Sequence, residues 1–238
     1  MSATVHAWFA RESLLDDAGI AVRFEGLISE AEAARRDRMA FDSGRRQQLL
    51  VRGLQRLMLS KYAPEIAPRD WQFVQGAGGR PELAPPLDAT GLYFNVAHTA
   101  GMVAVAVGRV PLIGIDVELL DRRVPVDLAP RYFSASEVAA LQALSPEEQP
   151  RRFLRLWTLK EAYLKAVGKG LSGGLDSMTF SFDERGGIGF EHRGDPDAHR
   201  WVFREFDPGG FLLALAYKDS AGGAAADVHW HEYRADTA

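Results

Sequence analysis

Midway along this chain three strand-like runs follow one another without a helix between them, and a long amphipathic segment stands on either side. LYFNVAHTAGMVAVAVG (92–108) reads as two strands joined by a turn near His98 to Gly101, and VPLIGIDVELL (110–120) follows directly. In that last run Ile113, Ile115 and Val117 alternate with Gly114, Asp116 and Glu118, which predicts a strand with one apolar face and two carboxylates on the other. Apolar faces of this kind are buried only against a second layer, and the flanking segments can supply it. RRQQLLVRGLQRLMLSKY (45–62) predicts a helix stopped by Pro64, with Leu50, Leu54 and Leu57 turned inward. RRFLRLWTLKEAYLKAVGKGL (151–171) predicts the longest helix, with Phe153, Leu156, Trp157, Leu164 and Val167 on one face and the glycines of GKGLSGG (168–174) ending it.

The rest of the chain extends this pattern. Residues 3–9 and 20–24 read as short strands or loop entries, Ser29 with Glu32 as a capping box, and 76–91 as a loop rich in Gly, Pro and Ala. Ser134 with Glu137 is a second capping box opening SEVAALQAL (136–144), and strands are predicted at MTFSF, RWVFREF, FLLALAY and ADVHWHEY. Strand, helix, strands, then helix, helix, strands is the order of an α+β protein built from two similar halves, 1–110 and 111–238.

Composition excludes several function classes. Across 238 residues, 28 Lys and Arg stand against 32 Asp and Glu, a net charge of −4 that gives no hold for nonspecific binding of nucleic acid or an anionic membrane. Any anion site must be local. The chain has no cysteine, so disulfides, thiolate metal sites and a cysteine nucleophile are excluded. No apolar run approaches the roughly 20 residues that span a bilayer, and a cytoplasmic protein without a signal peptide is expected.

Several charged residues stand where chemistry could use them. Asp116 and Glu118 leave one face of a strand with α-carbons about 6.6 Å apart, a span that a hard divalent cation can bridge. A polar outer face on an edge strand is the alternative. On the long helix Lys160 falls inside the apolar arc and Glu161 at its edge, where a charge needs an ion or a polar ligand as partner. Lys165, one turn after Glu161, reads either as its ion-pair mate or as a second ligand contact. Arg45, Arg52 and Arg56 form a basic line, a ligand contact or a solvated face. His98, beside Asn95 and Thr99, can donate to a phosphate or cap its turn, and Arg80 can bind an anion or be an ordinary loop arginine. Glu137 reads either as the N3 partner of Ser134 in its capping box or as a further functional charge.

In this order, GGRP (78–81), FNVAHT (94–99), IGIDVE (113–118), FSASE (133–137) and WTLKEAYLKAVGKGL (157–171) resemble the motif series of the Sfp-type 4'-phosphopantetheinyl transferases. The resemblance runs over most of the chain, and its last segment meets the pattern W-[ST]-x-K-E-[AS]-x-x-K-x-x-G-x-G-L in full. It implies a monomer of two α+β halves related by a pseudo-twofold, with coenzyme A in the cleft between them. The nucleotide end would lie on 1–110 and the metal, diphosphate and catalytic residues on 111–238. It also implies a reaction, in which a serine of an acyl, peptidyl or aryl carrier protein attacks the β-phosphate of coenzyme A, takes the phosphopantetheine arm and releases adenosine 3',5'-bisphosphate. By motif position Asp116, Glu118 and Glu161 resemble the ligands of Mg2+. Lys160 and Lys165 match lysines that stabilise the diphosphate, and Glu161 or a metal-bound water would take the serine proton. Arg52, Arg80, His98 and Thr99 correspond to contacts with the nucleotide end, with Arg45 and Arg46 as helpers by proximity only. The carrier would dock around Phe133 and the helix after it, and Arg122, Arg123 and Arg131 could steer an acidic partner, unless they are scattered surface arginines.

Two positions depart from the family pattern. Ala97 replaces the usual first serine of the histidine motif, removing one hydroxyl, and Arg80 replaces a common lysine while keeping the charge. Competing readings are a catalytically silent module that binds coenzyme A or a carrier, and a magnesium phosphotransferase acting on another nucleotide. The carrier's pathway, whether fatty-acid, polyketide or nonribosomal peptide synthesis, is left open, as is tolerance for acylated coenzyme A.

Overall fold

The computed structural model describes residues 4–169, 174–219 and 225–234. Strand β1 (Thr4–Arg11) opens the chain, followed by helices α1 (Asp17–Phe24), α2 (Glu30–Asp37) and α3 (Asp42–Tyr62). Strands β2 (Phe73–Gln75), β3 (Pro81–Leu83), β4 (Tyr93–Thr99), β5 (Met102–Gly108) and β6 (Ile113–Leu119) come next. Helices α4 (Ala129–Tyr132), α5 (Ala135–Gln142) and α6 (Gln149–Val167) lead to strands β7 (Met178–Phe182), β8 (Ile188–His192), β9 (Trp201–Phe206), β10 (Phe211–Lys218) and β11 (Asp227–Glu232). The protein is of the α+β class.

Two sheets organise it. One has the order β11-β1-β5-β4 and the other β6-β10-β9, while β2-β3 and β7-β8 are separate two-stranded ribbons. Every residue of β5 is buried, because Val103, Val105 and Val107 join Leu50, Leu54 and Leu59 of α3 while Met102, Ala104 and Ala106 turn the other way. That other way lies the second sheet: the alternation expected of VPLIGIDVELL puts Ile113, Ile115 and Val117, with Leu213 and Leu215 of β10, into the core shared by both sheets. The opposite face of β10, Ala214 and Ala216, packs under Leu156, Leu159 and Ala162 of α6. Each sheet thus has one long helix on its outer side, and β4 and β6, the two edge strands, meet at the seam.

Three expectations need correction. Residues 20–24 belong to α1, not to a strand: Asp16 caps the helix by accepting the Gly19 amide, and the spacing of Ile20 and Phe24, both buried, is helical. The C-terminal strand does not stay with the half that precedes it, since β11 pairs in parallel with β1, Val5 beside Val228 and Ala7 beside Trp230. The turn of the central hairpin is only Ala100-Gly101, where Gly101 has φ 88°, and His98 lies on β4 itself. Strands β2, β3 and β8 are additions: β3 lies within 76–91, expected as a loop, and the Gly-rich approach to β8 conceals it. Both capping boxes, at Ser29 and Ser134, are present, and α6 ends at Gly168 with φ 68°. Gly170 and Leu171 of the last motif lie outside the described residues. No described helix is long and apolar enough to cross a membrane.

Candidate functional site

Gly114 sets how closely α6 lies on β6. A β-carbon there would fall 2.0 Å from the Ala162 carbonyl oxygen and 2.6 Å from the Ala166 nitrogen, so a larger residue would push the helix off the strand. This contact brings Glu161 and Lys165, the neighbours of Ala162 and Ala166 on α6, to the strand face that carries Asp116 and Glu118. Lys165 Nζ donates to Asp116 Oδ1 at 2.6 Å.

Charge in this cluster is not balanced. Asp116 is 7% exposed, yet its Oδ2 has no hydrogen-bond partner, and neither has the buried Oε1 of Glu161. Burial lifts the Asp116 carboxyl to about 7 against the pull of Lys165, and Glu118 and Glu161 add to the rise. Burial also raises Glu161, with Lys165 opposing and Glu118 reinforcing. Three carboxylates therefore feel one another. Glu118 is drawn to the side by Arg122, whose Nη1 donates to its Oε2 at 2.6 Å.

Asp116, Glu118 and Glu161 are neighbours rather than a closed ligand set: among the described residues, no group of three or more His, Cys, Asp or Glu side chains is gathered as a metal cage. The donor chemistry nonetheless suits a hard divalent cation. All the candidate atoms are carboxylate oxygens, two of them buried and unpartnered, and a cation placed between them would relieve the raised carboxyl groups.

Lys160 stands elsewhere. Its side chain is 0% exposed and its three donors are used by protein: Glu137 Oε2 at 2.8 Å and the carbonyl oxygens of Leu175 and Met178, each at 2.7 Å. The expectation that it reaches a bound diphosphate is corrected, because all three of its protons are donated to protein groups. The missing partner was Glu137, which the sequence offers as a cap. Glu137 Oε1 also accepts the Phe180 amide at 2.7 Å and Oε2 the Ser134 amide at 2.8 Å, so one carboxylate joins α5, α6 and β7.

The expected nucleotide-end residues divide into two places. Arg52 of α3 and His98 of β4 share a cavity of about 200 Å³ with Gln55, Phe94 and Asn95. Burial lowers the His98 pKa, and Lys165 and Arg52 are both close enough to lower it further, which ties this cavity to the acidic cluster. Arg80 faces a neighbouring cavity of about 480 Å³, which shares Pro81 and Phe94 with the first and is also lined by Tyr93, Pro111 and Gly168. Its guanidinium donates to the Ala166 carbonyl at 2.6 Å and to that of Pro111 at 3.3 Å, tying it to the end of α6, while its buried Nε has no partner. Thr99 is half-buried and its carbonyl accepts from Gln47. Arg45 turns to Asp42 and Met39, and Arg46 to the carbonyls of Glu12 and Leu15, while Arg56 is buried against Glu32 and the Trp71 carbonyl. Of the basic line on α3, then, Arg52 alone lines the His98 cavity. Phe133, expected at a docking surface, is 2% exposed and packs on Phe153, while Arg123, Asp127, Leu128, Pro130, Arg131 and Ser136 are among the exposed residues near it in sequence.

Comparison with known proteins converges on one family. Residues 112–216 match the model of the 4'-phosphopantetheinyl transferase superfamily. The relative slr0495 of Synechocystis is 34% identical over 156 residues, covering 65% of this chain and 63% of that protein's own length. The solved holo-[acyl-carrier-protein] synthase of Thermotoga maritima matches 47% of this chain and 64% of its own at 24% identity, with a TM-score of 0.40. The 4'-phosphopantetheinyl transferase Sfp of Bacillus subtilis is 31% identical over 190 residues, 79% of this chain and 81% of Sfp. With four fifths of Sfp aligned to it and the superfamily match lying over the strand and helix that hold the acidic cluster, this chain belongs to the 4'-phosphopantetheinyl transferase superfamily.

Proposed function

We propose that this protein transfers the 4'-phosphopantetheine arm of coenzyme A to a serine of an acyl, peptidyl or aryl carrier protein in a reaction that requires Mg2+. The observation that carries the reading is the pair of buried, unpartnered carboxylate oxygens, Asp116 Oδ2 and Glu161 Oε1, beside Lys165. Buried like charges of this kind are held for a cation, and a phosphoryl transfer needs positioning and charge neutralisation more than a protein nucleophile.

Asp116 and Glu161 would hold the ion, joined by Glu118 once it turns from Arg122, and a magnesium ion bound there neutralises charge on the diphosphate. Lys165, half-exposed, can turn from Asp116 to donate to a diphosphate oxygen. Arg52 and His98 bind the nucleotide end at its 3'-phosphate. The carrier serine Oγ forms its bond to the β-phosphorus while the bond from that phosphorus to the bridging oxygen breaks. The Glu161 carboxylate, through the oxygen that does not face the ion, takes the serine proton, and the electron pair leaves with adenosine 3',5'-bisphosphate.

A panel of apo-carriers from fatty-acid, polyketide and nonribosomal peptide systems, incubated with the protein, Mg2+ and coenzyme A, tests this by intact mass. Gain on at least one carrier is expected, and no gain on any of them overturns the proposal. Glu161→Ala separates transfer from mere binding: coenzyme A should still bind while transfer collapses.

A further inference from the structure

Where the two halves meet, β4 and β6 run as neighbouring sheet edges without forming a hydrogen-bonded ladder. An edge strand leaves every second amide pointing away from its sheet, and a buried amide of that kind needs an acceptor. On β6 the amide of Ile115 points away from β10, and its acceptor is a side chain: Asn95 Oδ1, on β4, at 3.0 Å. Asn95 is 6% exposed, and it also lines the cavity of Arg52 and His98. Its bond thus falls on the residue immediately before Asp116, from a residue that touches the proposed nucleotide site.

We infer that Asn95 is a positioning residue: through the Ile115 amide it fixes the height and register of Asp116 relative to the Arg52 and His98 cavity, so that the two ends of one ligand meet groups held at a set spacing. This rests on the transferase reading above. The physical reason is that β4 and β6 offer no backbone ladder to set their register, and the inward faces, Ala97 on one side and Ile115 and Val117 on the other, are apolar contacts that resist sliding weakly. One directed bond from a buried amide side chain supplies the register that apolar packing does not. Asn95 touches neither the reacting phosphorus nor the serine, and its effect reaches the chemistry through Asp116.

The test compares the full-length protein with Asn95→Leu, which keeps the size and removes the acceptor, and Asn95→Asp, which keeps an oxygen where Oδ1 stands. Hydrogen exchange of single backbone amides is read first, by NMR. In Asn95→Leu the Ile115 amide should exchange about tenfold faster or more, while Gly114 and Asp116, whose amides face β10, keep their protection. In Asn95→Asp the Ile115 amide should stay protected. Transfer to an apo-carrier is then titrated with Mg2+. Asn95→Leu should raise the Mg2+ concentration for half-maximal rate about tenfold, in the range found for residues that orient metal ligands, and lower kcat with little change in KM for coenzyme A. General loosening of the fold would lower the amount of active protein and leave the Mg2+ midpoint where it was. Unchanged Ile115 exchange in Asn95→Leu, or an unmoved Mg2+ midpoint in active Asn95→Leu protein, overturns the positioning role. Absence of transfer by the unsubstituted protein overturns the transferase reading instead, and the exchange result still decides whether Asn95 holds the strand.

Discussion

Lys160 and Lys165 stand five residues apart on one helix, each within ion-pair distance of one carboxylate, and they differ in nearly every other respect. Around Lys160 nothing is missing: both side chains of the pair are 0% exposed, Lys160 donates to two further carbonyls, and Glu137 accepts two further amides. Around Lys165 the books do not balance, because Asp116 keeps a buried oxygen without a donor, Glu161 keeps another, and the lysine is 30% exposed. A buried ion pair with every lone pair and proton used holds structure together, while one surrounded by unpartnered like charge has room for a ligand. Sequence position marks Lys160 as the one on the apolar face but does not name either lysine's partner. The partners divide the two.

The contrast can be broken most severely at Glu161. Glu161→Ala should lower kcat by about 10³-fold, within the range found when a general base is removed, with binding of adenosine 3',5'-bisphosphate within a few-fold of the unsubstituted protein by calorimetry. Lys165→Ala should lower kcat by about 10²-fold while the thermal midpoint moves little. Lys160→Met tests the other side of the comparison. It leaves Glu137 buried without its cation and should cost about 3–5 kcal/mol in denaturant unfolding, yet rates corrected for folded protein should stay within about threefold of the original. A large loss of rate in folded Lys160→Met protein would mean that the two lysines are not divided as described. The smallest effect is expected far from both, at His6, where burial, His231, His229 and Lys61 hold the imidazole at about 4 instead of 6.5. Below pH 6.5 the unfolded chain takes up this proton first, so His6 contributes a loss of stability as pH falls from 6.5 to 4 and none above 6.5. His6→Asn should flatten that part of the melting profile and leave the Lys165 chemistry unchanged.

What could be read from the residues follows from how local each signal is. Alternation in IGIDVE placed Ile113, Ile115 and Val117 inward and set Asp116 and Glu118 on the other face, because a strand's period needs no knowledge of the rest of the chain. The caps at Ser29 and Ser134 and the stop at Gly168 are equally local. Residues 20–24 misled because IAVRF is short enough to fit either period, and only the Asp16 cap and the spacing of Ile20 and Phe24 decide for a helix. The return of β11 to β1 could not be seen, since it joins residues more than two hundred positions apart through no shared motif. The same distance explains the site. Lys160 reads in the sequence as a charge on an apolar face that needs a partner, but that partner, Glu137, sits on the preceding helix, where its spacing to Ser134 already gives it the role of a cap. The family motif puts Arg80 at the nucleotide end, while the Ala166 carbonyl that receives it belongs to a helix end some eighty residues later and is not legible from GGRP.

The central claim is that the unsatisfied carboxylates around Lys165 serve a metal-dependent phosphoryl transfer. Its most direct test counts both products of one incubation of apo-carrier, coenzyme A and protein, with Mg2+ and with a chelator in its place. The account predicts one adenosine 3',5'-bisphosphate released for each carrier converted, and neither product once Mg2+ is removed. Full conversion in the chelator, or carrier modified without release of the bisphosphate, would contradict it.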